Sequence, residues 1–292
     1  TTTLNGKLFY AHALGMKPRR IFYSGMHHAL NFTFYYSAPD NIVWAIHGKN
    51  GVHTFNEAKR TWQKVDLGDT INTWPNLCLF EDMLAPGILW IGNVWGLCKV
   101  DKRSHRRQWF YPSDEIPSVN GVINSMIQLP DGNILANVGS FNIGTLALFD
   151  QTAKKFKPLI FSKDKPGKPE IIAVRNFTLT KEHGVWMALP KGLANYDVKN
   201  GKYRILTSKD GLPTTSVVSV LSDERDNIWV AYDGWLSKYM PANDSIVSFD
   251  VRAEMEGFYS NSCSKGPDGQ LFFGGSSGFM SFHPDSIVLN TT

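Results

Sequence analysis

The sequence predicts an all-β fold of small antiparallel sheets, repeated along the chain and closed into a ring. Three observations carry that prediction. A unit built from an aromatic strand, a glycine turn and a second strand recurs, and its turn glycines Gly51, Gly96, Gly144, Gly192, Gly234 and Gly278 are spaced 45, 48, 48, 42 and 44 residues apart. Tryptophan falls at one point of the unit, at Trp44, Trp90, Trp186 and Trp229. No stretch carries a helical apolar period. A period of this length in an all-β pattern specifies one four-stranded antiparallel sheet per repeat, the blade of a β-propeller.

The clearest blade runs from Gly211 to Phe249. Gly211-Leu-Pro is a turn, and Ser216–Ser222 alternates between turn residues, so it reads as the first strand. Asp223-Glu-Arg-Asp-Asn is a polar turn. Ile228-Trp-Val-Ala is apolar on both faces and reads as a buried second strand. Tyr232-Asp-Gly234 is a tight turn, where glycine supplies positive φ. Leu236–Tyr239 is the third strand, Pro241-Ala-Asn-Asp the next turn, and Ser245–Phe249 the outer strand.

The same template fits Phe32–Trp62, Leu77–Phe110, Ile123–Phe156, Asn176–Ile205 and Ser260–Phe282. In the third of the six units Leu135 stands where the tryptophan belongs, and extra residues precede Gly144. A tryptophan at the recurring point would fill the wedge between neighbouring blades. A shortened fragment, Lys7-Leu-Phe-Tyr-Ala followed by Gly15, repeats the second strand and turn once more. Six units and a fragment predict seven blades in one domain over residues 1–292, the seventh completed from both chain ends; six blades is the alternative.

Composition narrows the function classes. The net charge of +4 is slight, and the densest basic group, Arg103, His105, Arg106 and Arg107, falls in a predicted hairpin turn. Nucleic-acid binding is therefore not expected. Three cysteines, Cys78, Cys98 and Cys263, make no disulfide framework and read as buried free thiols, with Cys78 and Cys98 placed in adjacent strands. No apolar run is long enough to span a bilayer, so no membrane contact is expected of these residues. With neither an initiator Met nor a signal-type segment, the chain reads as a piece of something longer.

Asp210-Gly-Leu-Pro-Thr-Thr-Ser-Val-Val-Ser-Val-Leu-Ser-Asp, followed by Asn227-Ile-Trp-Val and Gly234-Trp-Leu-Ser-Lys-Tyr, closely resembles the two-component regulator propeller repeat. Pro267-Asp-Gly-Gln-Leu-Phe-Phe-Gly-Gly-Ser-Ser-Gly-Phe-Met-Ser-Phe-His-Pro-Asp looks like the last repeat of such sensors. The resemblance is strong over residues 177–285 and weaker over 30–176. It implies the periplasmic sensor region of a hybrid two-component histidine kinase, a class that detects glycan fragments. It also implies an adjacent immunoglobulin-like domain in the same chain and a possible homodimer.

Catalytic chemistry leaves little trace. Gly274-Gly-Ser-Ser-Gly278 matches the nucleophile-elbow pattern, which requires a strand, a sharp turn and a helix. A strand pattern follows here instead, so the match reads as a blade turn. Eight histidines are scattered without metal-ligand spacing. No catalytic residue, metal or cofactor is assigned. Channel ligands drawn from separate blade loops would leave no local motif, so a metal-dependent lactonase or a lyase stays as the enzyme alternative.

In the blade order, the links from blade to blade and the turns between second and third strands lie on one face. These loops carry Trp74, Asn93, Trp95, Asn124, Asn142, Arg175, Lys191, Tyr232, Asp233, Trp235 and Tyr259. Flat aromatic faces suit a sugar ring, and amides and charges suit its hydroxyls. These residues are the expected site for an oligosaccharide or other small polar ligand. The same residue types also anchor protein interfaces, so a protein partner on this face stays open.

Overall fold

A computed structural model describes residues 2–4, 7–10, 19–22, 32–37, 42–47, 51–56, 59, 61–68, 71, 76–116, 120–139, 144–159, 173–182, 184–198, 200–255, 257–266, 268–275 and 278–287. Trp74 and Asn142, and the Gly15 and Ser276 turns, lie outside them. The chain divides into two compact units, Thr1–Gly25 with Arg175–Thr292, and Met26–Val174.

Three strands open the first unit: β1 (Thr2–Leu4), β2 (Lys7–Tyr10) and β3 (Arg19–Phe22), paired as a sheet in that order. The second unit holds three four-stranded sheets. They are β4 (Phe32–Ser37), β5 (Ile42–His47), β6 (Gly51–Asn56) and β7 (Thr61–Val65); then β8 (Asn76–Glu81), β9 (Ile88–Asn93), β10 (Leu97–Asp101) and β11 (Arg107–Phe110). After one helical turn, α1 (Pro112–Glu115), come β12 (Ile123–Gln128), β13 (Ile134–Gly139), β14 (Gly144–Asp150) and β15 (Lys155–Pro158).

The rest of the first unit holds β16 (Asn176–Leu179), β17 (Val185–Leu189), β18 (Gly192–Asp197) and β19 (Lys202–Leu206). It continues with β20 (Ser219–Ser222), β21 (Ile228–Ala231), β22 (Trp235–Met240) and β23 (Ser245–Asp250). It ends on a three-stranded sheet, β24 (Phe258–Lys265), β25 (Leu271–Gly275) and β26 (Gly278–Phe282).

Every sheet is an antiparallel meander, with consecutive strands hydrogen-bonded in order. Six of them are the six sequence units, and the N-terminal fragment forms the other. Among the described residues that N-terminal sheet takes no strand from the C-terminal end; β1 instead lies beside β25 and β26. The expected strand Ser216–Ser222 begins only at Ser219, because its first residues form the blade link: the Val217 amide donates to Leu189 O at 3.0 Å, outside its own sheet.

The second strands β13, β17 and β21 are buried along their whole length, while outer strands such as β7 and β19 expose most positions. The core lies between successive sheets. Trp44 packs with Leu79, Leu89 and Ile91 of the next sheet, and Trp90 with Ile123, Ile134 and Phe149. Trp186 meets Val220, Ile228 and Val230, and Trp229 meets Phe258, Leu271 and Phe273. Each tryptophan thus fills the wedge toward the following blade, where a large aromatic buries most apolar area.

Two blades treat that tryptophan alike. Trp90 Nε1 donates to Asp82 Oδ2 at 2.8 Å, and Trp229 Nε1 to Asp223 Oδ2 at 3.0 Å. The facing residue of the third strand, Lys99 or Lys238, sets its ammonium over the same ring. Asp82 also clasps its blade to the next, accepting from Gln128 Nε2 at 2.9 Å and Gln151 Nε2 at 3.2 Å.

The three thiols are free, as expected. Cys78 and Cys98 are not on adjacent strands, however: β9 lies between β8 and β10. They face opposite sides of their sheet, Cys78 packing toward Ile123 and Cys98 toward Trp44 and Leu79.

Candidate functional site

The site expected from the sequence lies where first strands begin and second strands turn into third strands. In the second unit, Asn93 ends β9 and is fully buried. Its Oδ1 accepts the amides of Trp95 at 2.8 Å and Gly96 at 3.1 Å, so it shapes the turn. That turn lifts Trp95 out, leaving it 47% exposed. Asn124 is also buried: its Nδ2 donates to Gly139 O at 3.0 Å and its Oδ1 accepts from Asn137 Nδ2 at 2.9 Å. Asn93 and Asn124 therefore order the loops, and Trp95 is the group they present.

In the first unit, Tyr232 lies in the core with Trp186, Val230 and Tyr239, and burial pushes its hydroxyl well above the ordinary tyrosine range. Trp235 is half-buried and carries the Arg252 guanidinium 5.8 Å from its ring centre. Arg252 is in turn held by Asp250, with Nε donating to Oδ1 at 2.9 Å. One face of Trp235 is thereby covered by its own blade. Asp233 and Lys191 are exposed at their turns.

Arg175, Tyr259 and their neighbours make a polar group at the start of first strands. Arg175 is half-buried before β16; its Nη1 donates to Ser216 Oγ at 3.1 Å and to Val217 O at 2.9 Å. Burial pulls its guanidinium below the usual arginine range. Tyr259 is 51% exposed on β24, and its carbonyl accepts from Ser219 Oγ at 2.9 Å. Asn176 links three first strands: its Oδ1 accepts from Val220 N at 2.8 Å, and its Nδ2 donates to Asn261 Oδ1 at 3.3 Å.

Asn176 was not among the expected site residues, because its place in a strand reads as ordinary alternation. A usable signal was present: Asn76, Asn124 and Asn176 recur at the first or second position of successive first strands. Among the described residues, no group of three or more His, Cys, Asp or Glu is placed to hold a metal ion.

The sequence matches no family model and no curated protein. Solved structures do match. The extracellular domain of a protein assigned as a hybrid two-component system from B. thetaiotaomicron superposes with a TM-score of 0.73 at 18% identity, covering 96% of this chain and 38% of that one. The chain is a β-propeller. Its antiparallel meander sheets, most of them four-stranded, have the fold of that extracellular domain. The extracellular domain of a protein assigned as a one-component system from the same bacterium gives a TM-score of 0.71 at 16% identity, covering 95% and 36%. Virginiamycin B lyase from Staphylococcus aureus gives 0.65 at 11% identity, covering 88% and 82%. This propeller thus spans under two fifths of the length of the first two. No helix of its described residues is long and apolar enough to cross a membrane.

Proposed function

We propose that this propeller is a non-catalytic part of the periplasmic sensor region of a two-component signalling protein, and that its loop face contributes to binding a glycan fragment. The observation that carries the reading is the presentation of Trp95 in one unit and, separately, of Tyr259 in the other. Both are about half exposed, on loops ordered by buried amides or on a bulged first strand. An exposed aromatic held by a rigid frame suits stacking on a sugar ring, since little conformational freedom is lost on binding. The neighbouring extracellular domains of two-component systems support the sensor assignment. The adjacent immunoglobulin-like domain and a homodimer belong to the same reading, with this propeller as part of their scaffold.

Titration calorimetry against a panel of neutral and acidic oligosaccharides tests it. A saturable heat with one glycan class is expected. Trp95→Ala should weaken that binding by about 1 kcal/mol, several-fold in Kd. Silence across the panel would leave the propeller a scaffold only, and turnover of any panel member would place it among the propeller enzymes.

A further inference from the structure

We infer that the Arg175–Tyr259 end of the first unit recognises a carboxylate-bearing sugar, so that the glycan bound contains uronic acid. The inference rests on the glycan reading above and names its ligand class. Arg175 is a half-buried cation whose two partners, Ser216 Oγ and Val217 O, are neutral. Among the described residues no carboxylate pairs with it. Taking a charge out of water without a counter-charge is unfavourable, and that burial is what pulls its proton affinity down.

A purely structural clasp would not need that charge. The neighbouring first strands are fastened by neutral groups: Thr178 Oγ1 to Ser222 Oγ at 3.0 Å, and Asn176 Oδ1 to Val220 N at 2.8 Å. Among the described residues both side-chain hydrogen bonds of Arg175 use Nη1, and Nε and Nη2 of the guanidinium make none. That planar fork matches a carboxylate in bidentate geometry.

The surroundings fit a sugar ring around that carboxylate. The register of β24 against β25 shifts between Phe258 and Cys263, and within this bulge Asn261 takes a φ of 57°. Bulges re-aim side chains, and asparagine is one of the few non-glycine residues that readily takes the left-handed conformation such a bulge uses. The bulge carries exposed Tyr259, a flat ring face. Asn261 accepts from Asn176 through Oδ1, and among the described residues its Nδ2 makes no hydrogen bond, so its donors suit a hydroxyl.

The test is calorimetry on the whole chain with a set of uronate-containing oligosaccharides, the same sugars after carboxyl reduction, and free acetate. Binding of one acidic sugar is expected, with its carboxyl-reduced form on the order of ten- to hundredfold weaker. Arg175→Gln should lose the same factor for the acidic sugar and nothing for the reduced one. Arg175→Lys should fall between, since it keeps the charge without the fork. Tyr259→Ala, at an exposed position that leaves folding intact, should weaken both sugars alike. Equal affinity for acidic and reduced sugars, or binding unchanged in folded Arg175→Gln, overturns the inference and leaves the glycan reading standing. Acetate binding as tightly as the sugar overturns the sugar part. No heat with any saccharide removes both.

Discussion

The indole nitrogen of Trp186 is buried and, among the described residues, meets no acceptor, whereas Trp90 and Trp229 donate to Asp82 and Asp223. The difference is one residue. Asp223 lies six positions before Trp229, and the residue six positions before Trp186 is Thr180. The turns share a register: Asp223 N donates to Asn227 O, and Thr180 N to Gly184 O, both at 3.0 Å. A buried unpaired N–H costs more than a satisfied one gains. Thr180→Asp should therefore stabilise the protein by about 1 kcal/mol, tempered by the lost Thr180 Oγ1 bond to Gly184 O. Chemical denaturation reads the gain, and a Trp186→Phe background, which has no N–H, should abolish it. An equal gain in that background would show that the indole is not the beneficiary.

At the level of one blade, the recurring glycines do two jobs that the sequence shows as one. Gly234 has a φ of +71°, the turn role the spacing predicts. Gly96 has no such φ; a side chain there would meet Phe110 O at 2.4 Å, so the outer strand's close approach demands it. Gly92, within β9, is a stricter case. A β-carbon there would lie 2.6 Å from Cys78 Sγ, 2.7 Å from Ile123 Cγ2 and 2.9 Å from Ile123 O in the next blade. Gly92→Ala should destabilise by about 1–3 kcal/mol through overpacking. Cys78→Gly in the same chain should restore only part of the loss in thermal melts, since Ile123 remains; full restoration would show that the blades move apart freely. The pairing of strands within blades was legible because alternation, polar turns and glycine spacing are local signals. The site was less so. Trp95 and Tyr259 are exposed, whereas Tyr232 and Asn93 turn inward, since a loop position cannot reveal whether a polar atom faces solvent or caps its own turn. Asn176 was missed because its partners lie in two other blades.

Across the whole chain, groups displaced in opposite directions set a pH window for stability. Among the described residues, seven carboxylates, Asp82, Asp101, Asp150, Asp210, Glu224, Asp244 and Asp250, are held below their usual range. For Asp82, burial pushes the carboxyl up, but hydrogen bonds from Gln128, Trp90, the Leu84 amide and Gln151 outweigh it. Asp250 falls to about 2 through its bonds with Arg252. A carboxyl depressed in the folded state stabilises above its unfolded value, about 4, and that contribution is lost as pH falls toward the folded one. The thiols behave oppositely: burial raises Cys78, Cys98 and Cys263 to about 12. Burial and the bond to Asp244 raise Tyr239 equally, to about 12. A group raised in the folded state stabilises below its unfolded value, about 8.5 for a thiol, and the contribution drains away as pH rises toward the folded one. The melting temperature should therefore be level between about pH 5 and 8, fall on the acid side toward pH 2, and fall again above about pH 9. Circular dichroism melts at low ionic strength measure this. The acid limb should flatten as salt is added, because most of these carboxylates are exposed and their attractions are screened. The alkaline limb should not, because buried thiols are displaced by desolvation. A profile flat to pH 10 would mean that the thiols are already solvated in the native state.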